Sequence, residues 1–330
     1  MAKKDDKEAK KNWSHKNEFP IIKNQQRTII KAIGVGGGGI HAINHMYLQG
    51  IEGVTFVVSD TNSHLLNASP VPNRVLLRTD TTHRIATEES ESEIAALFDD
   101  DTKLLIIVAG MGGGTGTGAA PVVARIAREK EVTLTVGIVT IPFEFEGDHR
   151  IRKALAGIEE LSKHVDTLFI INNGRLTEMY SDLERSNAFM KVDETLTTAV
   201  RSICDPITVK NRLCIDFNDI NWILRKSGSA MNISGFASGD RRVTKALQNA
   251  LESPLLKDCD IFSSKKMMMN FYYNPDSEDP LRMDETGEIQ EFMKNFDHEV
   301  DVIWGAAHDS TLEDQVKVTI LATGFNVSYL

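Results

Sequence analysis

The sequence predicts an α/β fold, in which a mostly parallel sheet carries helices on both faces and is followed by a smaller α+β domain. Three observations support this prediction. From residue 27 onwards, short apolar runs typical of buried strands alternate with amphipathic helical segments, as in sheets whose strands are joined by crossover helices. Two of these runs end in glycine-rich loops, and the last third of the chain contains several further strand-like runs. The 330 residues are also enough for two domains.

The overall composition is that of a globular protein, with 25% charged and 41% hydrophobic residues. The formal net charge of −10 disfavours binding to nucleic acid or to an anionic membrane. No apolar run reaches the roughly 18 residues that a membrane-spanning helix needs, so direct membrane insertion is not expected. The three cysteines, Cys204, Cys214 and Cys259, form no CxxC pair or zinc-type spacing. We therefore expect a soluble cytoplasmic protein without a metal site built from its own side chains.

The first domain is expected within residues 25–188. Residues 1–24 precede it and are rich in Lys, Asp and Glu, which predicts a disordered tail. The domain's predicted elements are, in order, a strand at Thr28 to Ile33, a helix at Ile40 to Gln49, strands at Val54 to Val58 and Leu104 to Val108, a helix at about Ala119 to Lys130, and strands at Leu134 to Ile141 and Thr167 to Ile171.

A long helical pattern near Asp193 to Ile203 predicts a central core helix within residues 189–210. The character of the chain then changes, and residues 211–330 are expected to form the smaller α+β domain. Its predicted strands are Lys266 to Tyr273, Val300 to Trp304 and Val316 to Ala322.

The first glycine loop, Gly34 to Gly39, has the pattern G-x-G-x-x-G directly after a predicted strand and before a predicted helix. Asp60 closes the next strand, at the distance where a dinucleotide site has its ribose-binding acid. Glycines let the backbone approach phosphate oxygens, and a helix N-terminus supplies N–H donors. This loop by itself is therefore also compatible with an NAD- or FAD-binding oxidoreductase.

The second glycine loop, Gly112 to Gly118, also follows a predicted buried strand and adds the hydroxyls of Thr115 and Thr117. Two such loops at neighbouring strand ends suit a longer phosphate chain that is held from two sides. Neither loop ends in Lys-Ser/Thr, so neither is a Walker-type P-loop. The two loops together predict a Rossmann-like three-layer nucleotide-binding domain.

Gly112 to Gly118 resembles the GGGTG[ST]G signature of the tubulin/FtsZ family. The chain also resembles the FtsZ branch of that family in several further segments, which follow in family order. These segments are Gly34 to Gly39, Ala109 to Pro121, Pro142 to Gly147 with Arg150, Ile215 to Asp219, Ser253 to Leu256, and Thr319 to Phe325. On these motifs the chain is identified as a divergent member of the FtsZ branch, with the tubulin/FtsZ fold.

The resemblance implies that the chain binds GTP or GDP, with Mg²⁺ held through the phosphates and water. By the resemblance, the phosphates are cradled by Gly36, Gly37, Gly38, Gly113, Gly114, Thr115, Gly116 and Thr117. His41 and Gly112 are carried over as further nucleotide-binding positions. The resemblance places Glu146 and Arg150 near the ribose and α-phosphate, Asn173 near the sugar and base, and Phe189 on the guanine ring. It implies that Asp193 reads guanine, whose N1–H and N2–H₂ donors a carboxylate can accept and adenine cannot offer.

Asp216 and Asp219 lie three residues apart where a helix from Ile220 to Lys226 is predicted to begin. Taken alone, this spacing is typical of a helix N-cap and first-turn pair. The resemblance implies instead a catalytic pair, inserted into the nucleotide pocket of a neighbouring subunit to orient the attacking water. It therefore implies a GTPase that stacks head-to-tail into filaments and acts in cell division, at the division site, with division-ring proteins as partners.

The chain departs from the family pattern at four places. Ile40-His41 replaces a Gly-Asn pair, and Asp60 and Asn62 have exchanged places relative to the family. The stretch from Leu77 to Asp101 is shorter and lacks the glycine-rich loop that senses the γ-phosphate; Arg78, His83 or Arg84 could substitute for it electrostatically. Cys214 stands where the family has an asparagine.

These departures predict slowed or altered hydrolysis with nucleotide binding retained. The main alternative is therefore a non-hydrolysing FtsZ-like paralogue that acts as a nucleotide-bound structural filament or assembly partner. An NAD-dependent Rossmann oxidoreductase is a remote alternative.

Overall fold

The computed structural model describes residues 28–78, 90–98, 101–180, 185–208, 215–257, 259–277, 280–282, 285–296 and 299–327. The expected tail at 1–24, His83, Arg84 and Cys214 lie outside these ranges. The first part of the described chain alternates strands and helices. Its elements are β1 (Ile30–Val35), α1 (Gly36–Leu48), β2 (Val54–Asp60), α2 (Ser63–Ala68), β3 (Asn73–Leu76), α3 (Glu91–Ala95), β4 (Leu104–Gly110), α4 (Thr115–Glu129), β5 (Leu134–Ile141), α5 (Asp148–Ser162), β6 (Thr167–Asn172) and α6 (Asn173–Met179).

The second part begins with the long helix α7 and is richer in antiparallel strands. Its elements are α7 (Arg185–Thr208), α8 (Phe217–Leu224), β7 (Gly228–Ala237), α9 (Arg242–Leu251), β8 (Cys259–Asp260), β9 (Lys266–Tyr273), α10 (Thr286–Met293), β10 (Asp301–His308), β11 (Val316–Thr323) and β12 (Asn326–Val327).

One sheet of ten strands runs through both parts, in the order β10-β9-β11-β7-β6-β5-β4-β1-β2-β3. Strands β1 to β6 are parallel to their neighbours. Strand β7 joins β6 through a short parallel register that begins at Thr167 opposite Gly228, and β11 then pairs antiparallel with β7 and β9. The smaller α+β unit therefore extends the sheet of the first unit.

Three apolar clusters form the core. One lies between the sheet and helices α1, α7 and α8, and includes Ile43 and Ile203. The second lies on the opposite face under α4 and α5. The third joins α9 to strands β7, β9 and β11, and contains Met267 and Met269 as fully buried side chains. These methionines fill the core, as their unbranched side chains allow.

The structure confirms the α/β fold and most of the predicted elements. Strands β5 and β9 have the predicted bounds. Helices α1 and α4 begin four residues earlier than predicted, at Gly36 and Thr115, inside the glycine loops. Glycine has a low helix propensity, but tertiary contacts hold these turns in helical geometry. Helix α8 likewise begins earlier than predicted, at Phe217, and ends at Leu224. The domain boundaries at 188 and 210 stay predictions.

Candidate functional site

A cavity of about 580 Å³ lies at the carboxyl ends of the parallel strands, where ligands bind in open α/β sheets. It is lined by both glycine loops, by the segment after β5, and by α6 and α7. Its lining residues are Gly38, His41, Gly110, Met111, Gly113, Thr140, Pro142, Glu146, Arg150, Asn173, Phe189, Met190, Val192, Asp193 and Leu196.

The two glycine loops touch because β1 and β4 are neighbours in the sheet. A Cβ atom on Gly36 would lie 2.7 Å from the backbone nitrogen of Gly116, and Gly36 has a φ of +74°. A Cβ on Gly116 would lie 2.4 Å from the carbonyl oxygen of Gly110. Such distances leave no room for a side chain, so these glycines bring the starts of α1 and α4 together.

Other glycines of the loops face open space. A Cβ on Gly113 would meet nothing within 4 Å, and one on Gly37 would only reach a leucine side-chain atom at 4.0 Å. Gly38 and Gly113 both line the cavity. The N-termini of α1 and α4 therefore present backbone N–H groups beside a space that a polyphosphate can enter, and helix N-termini favour anions there.

The two threonines of the second loop have different contacts. The hydroxyl of Thr117 accepts a hydrogen bond of 2.9 Å from the backbone N–H of Gly112, so it braces the loop internally. The hydroxyl of Thr115, the first residue of α4 after its N-cap Gly114, lies 3.3 Å from that of Thr61 at the end of β2. Thr115 is thus the threonine that joins the second loop to the loop after β2.

Glu146 and Arg150 form an ion pair on the cavity wall, with 2.6 Å between Oε2 and Nη1. The other carboxylate oxygen of Glu146 accepts a 3.0 Å hydrogen bond from the backbone N–H of Phe143. Glu146 is thereby fixed from two sides, whereas the side chain of Arg150 is more than half exposed. The pair leaves Arg150 with further N–H donors toward the cavity.

Asn173 is the first residue of α6 and is 5% exposed. Its Oδ1 atom is buried and has no hydrogen-bond partner in the structure. Buried polar atoms are normally paired, because an unpaired one carries the full desolvation penalty. Since Asn173 lines the cavity, a ligand with a donor group fits this position.

Phe189 stands at the rim of the cavity and is 49% exposed. Its ring packs edge-on against Phe143 at 5.3 Å between centroids, and Phe143 stacks on Phe145 at 5.0 Å. The Phe189 ring is therefore held on one side, while about half of the side chain stays exposed to a flat ring system.

Asp193 lies on α7, one helical turn after Phe189, and faces His41 on α1. Burial raises the pKa of the Asp193 carboxyl to about 6, while the nearby His41 and His45 act in the opposite direction. A desolvated carboxylate is an acceptor site for ligand N–H donors. Phe189, Asp193 and Asn173 thus gather a stacking surface, a carboxylate and an amide around one end of the cavity.

The sequence did not predict several wall residues, namely Gly110, Met111, Thr140, Pro142, Met190, Val192 and Leu196. Three of them follow from helical spacing, because Met190 and Leu196 lie three residues from Asp193, and Val192 lies three residues after Phe189. The other four lie at the ends of β4 and β5, and the sheet order brings them together.

Asp216 and Asp219 lie elsewhere in the molecule. The Asp216 carboxylate accepts hydrogen bonds from the backbone N–H groups of Asn218 (2.7 Å) and Asp219 (3.1 Å), and the Asp219 carboxylate accepts one from the backbone N–H of Asp216 (2.9 Å). The two residues therefore form a reciprocal capping box at the start of α8.

This capping box lies at the opposite edge of the sheet from the cavity. The ammonium group of Lys103, which immediately precedes β4, is 5.9 Å from the ring of Phe217 at the start of α8. Gly110, the last residue of β4, lines the cavity. Seven residues of extended strand separate the two edges by about 20 Å. The carboxylates of Asp216 and Asp219 therefore do not reach the cavity of their own chain.

The structure also accounts for the exchanged residues after β2. The Asp60 carboxylate accepts hydrogen bonds from the Asn62 backbone N–H at 2.8 Å and from the Thr61 hydroxyl at 3.3 Å. Asn62 in turn caps α2 by accepting from the His64 backbone N–H at 2.9 Å. Since Asp60 is 4% exposed and bonded within its own loop, it is not presented to a ribose. This placement disfavours the dinucleotide alternative.

The structure describes parts of two other departures from the family pattern, at Ile40-His41 and in the stretch from Leu77 to Asp101. Ile40 is buried in the core cluster under α1, so its side chain points away from the cavity that His41 lines. The backbone N–H of Arg78 donates a 3.2 Å hydrogen bond to the Ser90 hydroxyl. This bond joins the two sides of residues 79–89, where the family's γ-phosphate loop would fall.

Among the described residues, no group of three or more His, Cys, Asp and Glu side chains is placed to hold a metal ion. Across the same residues, no helix has the length and apolar character needed to cross a membrane.

Comparisons with known proteins identify the family of the chain. The model for the Tubulin/FtsZ family GTPase domain matches residues 29–181, and the model for the FtsZ family C-terminal domain matches residues 228–326. The chain is 44% identical over 311 residues to the cell division protein FtsZ of Porphyromonas gingivalis, covering 91% of this chain and 67% of that protein. It is 36% identical to cell division protein FtsZ 1 of Archaeoglobus fulgidus, covering 93% and 85%.

The chain spans only 60% of the length of another relative, the FtsZ of Caulobacter vibrioides, to which it is 38% identical over 90% of its own length. Among solved structures, an empty FtsZ dimer of M. jannaschii superposes with a TM-score of 0.80 at 32% identity, covering 91% of this chain and 89% of that one. CetZ1 of Haloferax volcanii, at 18% identity and a TM-score of 0.76 over 90% and 94% of the two chains, shares the fold.

Proposed function

The chain belongs to the FtsZ branch of the Tubulin/FtsZ family, and from this premise we propose that it is a GTP-binding, filament-forming GTPase of cell division. The observation that carries the proposal is the cavity itself. Two glycine loops meet at one end of it, and a desolvated carboxylate, an unpaired buried amide and an exposed ring line the other. Relatives with this architecture are named cell division proteins.

The cavity matches the parts of a guanine nucleotide in order. The backbone N–H groups at Gly36 to Gly38 and Gly113 to Gly116 bind the phosphates, and Arg150, held by Glu146, adds positive charge near the ribose and α-phosphate. Asp193 accepts from guanine N1–H and N2–H₂. Asn173 gains a partner for its buried Oδ1 atom, which lowers the free energy of the bound state.

Hydrolysis requires a second copy of the chain. Asp216 and Asp219 lie at the edge of the sheet opposite their own cavity, and about 20 Å of strand β4 separates the two edges. Head-to-tail stacking brings this edge of one subunit onto the cavity of the next, and such heterologous contacts produce open filaments. In that arrangement the capping box presents two carboxylates that orient the attacking water.

When bound with the nucleotide, Mg²⁺ would supply positive charge beside the phosphoryl group that is transferred to water. Of the side chains near the phosphate end, the hydroxyls of Thr115 and Thr61 are oxygen donors of the kind this ion accepts.

The departures from the family pattern act on hydrolysis more than on binding. The Asp60 carboxylate is engaged in its own loop, and the glycine-rich γ-phosphate loop is absent from the sequence between Leu77 and Asp101. Both affect the end of the cavity where the γ-phosphate binds. We therefore propose slow hydrolysis. In the second candidate function, a nucleotide-bound filament without turnover, the same features abolish hydrolysis altogether.

The test combines phosphate release and sedimentation of the purified chain with GTP and Mg²⁺. The matched variants are Asp216→Asn, which keeps an N-cap acceptor but removes the charge, and Asn173→Ala combined with Asp193→Ala, which removes base recognition. Asp216→Asn is expected to lower phosphate release about 100-fold with GDP affinity within about twofold of wild type.

Mixing the two variants provides the decisive measurement. Each is inactive alone, but a filament containing both places intact Asp216 residues against intact cavities at about a quarter of its interfaces. We expect phosphate release to recover in the mixture to about that fraction of wild type. No recovery, with both variants shown to co-sediment, contradicts a site shared between subunits. Polymer without phosphate release by the wild type selects the second candidate.

Cellular roles follow from the same family membership. We propose that the protein works in the cytoplasm at the division site, with itself and division-ring proteins as partners. Localisation of a fluorescent fusion in dividing cells tests this; a uniform distribution throughout division contradicts it.

A further inference from the structure

Helices α1 and α7 run side by side away from the cavity, and their facing side chains are spaced four residues apart on both helices. The resulting pairs are His41 with Asp193, His45 with Thr197, and Gln49 with Arg201. Residues at i and i+4 lie on one face of a helix, about 6 Å apart along its axis. The three pairs therefore form a ladder that starts at the cavity.

The middle pair is a cross-link with a defined direction. The Thr197 hydroxyl donates to the backbone carbonyl of Asp193 at 2.7 Å, so its oxygen is free to accept. The Nδ1 atom of His45 lies 3.0 Å from that oxygen and must be the donor. Thr197 is 3% exposed, so this hydrogen bond is shielded from water on one side.

Gln49, from the third pair, contacts the other ring nitrogen of His45. The Nε2 atom of Gln49 lies 3.2 Å from the Nε2 atom of His45. An amide nitrogen can only donate, so the His45 nitrogen accepts. The amide oxygen of Gln49 accepts in turn from Arg201 at 3.4 Å. Both hydrogen bonds of the His45 ring fit the tautomer that carries its proton on Nδ1.

The two helices carry the two ends of the proposed nucleotide site. The N-terminus of α1, with Gly36 to Gly38, belongs to the phosphate end, and α7 carries Phe189 and Asp193 at the base end. A rigid nucleotide contacts both ends only when the helices keep a fixed offset. Small errors in such an offset weaken binding, because one end must then give up part of its contacts.

We propose that His45 is a positioning residue: through its hydrogen bond to Thr197 it locks α7 against α1, so that the base-binding and phosphate-binding ends match one nucleotide. This inference rests on the proposed guanine-nucleotide function and names a residue outside the cavity that sets its affinity. His45 itself does not line the cavity.

The test compares a whole nucleotide with its two halves. GDP, guanosine and pyrophosphate are titrated in competition with a fluorescent GDP analogue. The variants are His45→Ala and Thr197→Val, which remove the cross-link, and His45→Asn and Thr197→Ser, which keep it. The amide nitrogen of asparagine takes the position of histidine Nδ1, and serine keeps the hydroxyl.

We expect His45→Ala and Thr197→Val to weaken GDP about fivefold, the typical effect of one hydrogen bond, while guanosine and pyrophosphate stay within about twofold of wild type. His45→Asn and Thr197→Ser should restore GDP affinity. Nitrogen-15 NMR of the wild-type imidazole should report a proton on Nδ1.

Two results overturn the inference. One is GDP affinity in His45→Ala equal to wild type; the other is an equal loss for GDP and both halves, which indicates general damage to the fold. If the wild type does not bind GDP at all, the proposed function itself fails, and the inference fails with it.

Discussion

Guanine-nucleotide affinity should depend on pH through Asp193. Burial raises the pKa of this carboxyl to about 6 in the free protein, and only the ionised form accepts both guanine donors. The perturbation is a pH series from 8 to 5 on the wild type and on Asp193→Asn. Asparagine retains a carbonyl acceptor but does not titrate.

The magnitude follows from the fraction ionised. With a pKa of about 6, half of the carboxyl groups are charged at pH 6 and about one tenth at pH 5. Apparent affinity scales with the binding-competent fraction, so the dissociation constant should rise about twofold by pH 6 and about tenfold by pH 5. At pH 8, Asp193→Asn should bind about fivefold more weakly, because a hydrogen bond to a neutral acceptor is weaker.

Asp193→Asn should weaken nucleotide binding at pH 8 but make the free protein more stable against unfolding. Because the folded-state pKa of Asp193 lies above its unfolded value of 3.8, the folded protein holds this proton more tightly. That contribution is fully present below pH 3.8 and is lost as pH rises through 6. At pH 8 the free protein therefore contains a desolvated charge, and Asp193→Asn should raise its melting temperature.

The assay is fluorescence titration with a GDP analogue, reported as the ratio of dissociation constants for wild type and variant. Titration of the nucleotide phosphates is common to both proteins, so the ratio reports the contribution of the Asp193 carboxyl. If the ratio stays constant from pH 8 to 5, Asp193 does not bind the base as a carboxylate and the reasoning is refuted.

Two further predictions concern packing. Gly116→Ala should lower both the melting temperature and nucleotide affinity, since its Cβ would lie 2.4 Å from a backbone oxygen; Gly113→Ala, in open space, should keep the melting temperature and weaken binding only. If the two variants lose equally in melting temperature, the close contact between the loops is contradicted. Arg242→Ala should destabilise the fold by about 3–5 kcal/mol, measured by urea unfolding, because it breaks a buried bidentate pair with Glu285 (2.7 and 3.0 Å). Arg241→Ala, whose ion pair is exposed, should lower the free energy of unfolding by less than about 1 kcal/mol. Similar losses for both variants refute the idea that burial makes the Arg242–Glu285 pair important for stability.

Strand positions were predictable because burial of β-branched and apolar residues is a local property of the chain. Strands β5 and β9 have the predicted bounds. Helix starts were less predictable. Local propensity places α1 after its glycines, whereas contact between Gly36 and Gly116 makes the glycines themselves the first turns.

Some residues of the candidate site could likewise be predicted from the sequence, and others could not. The glycine loops, with their spacing, and the motif residues around Glu146, Asn173 and Asp193 could be identified from the sequence, and the structure gathers them at one cavity. The wall residue Thr140 could not be identified, because no motif marks it. It joins the site through the order of the strands.

By itself, the sequence determined the α/β class, the family and the two phosphate-type loops, because each depends on short segments whose chemistry is local. Only the tertiary structure decided that one ten-stranded sheet unites both parts, and that Asp216 and Asp219 lie at the edge opposite the cavity. It alone paired His45 with Thr197. These relations join residues far apart in the chain, and their distances are fixed by packing and sheet register, which no local pattern of residues encodes.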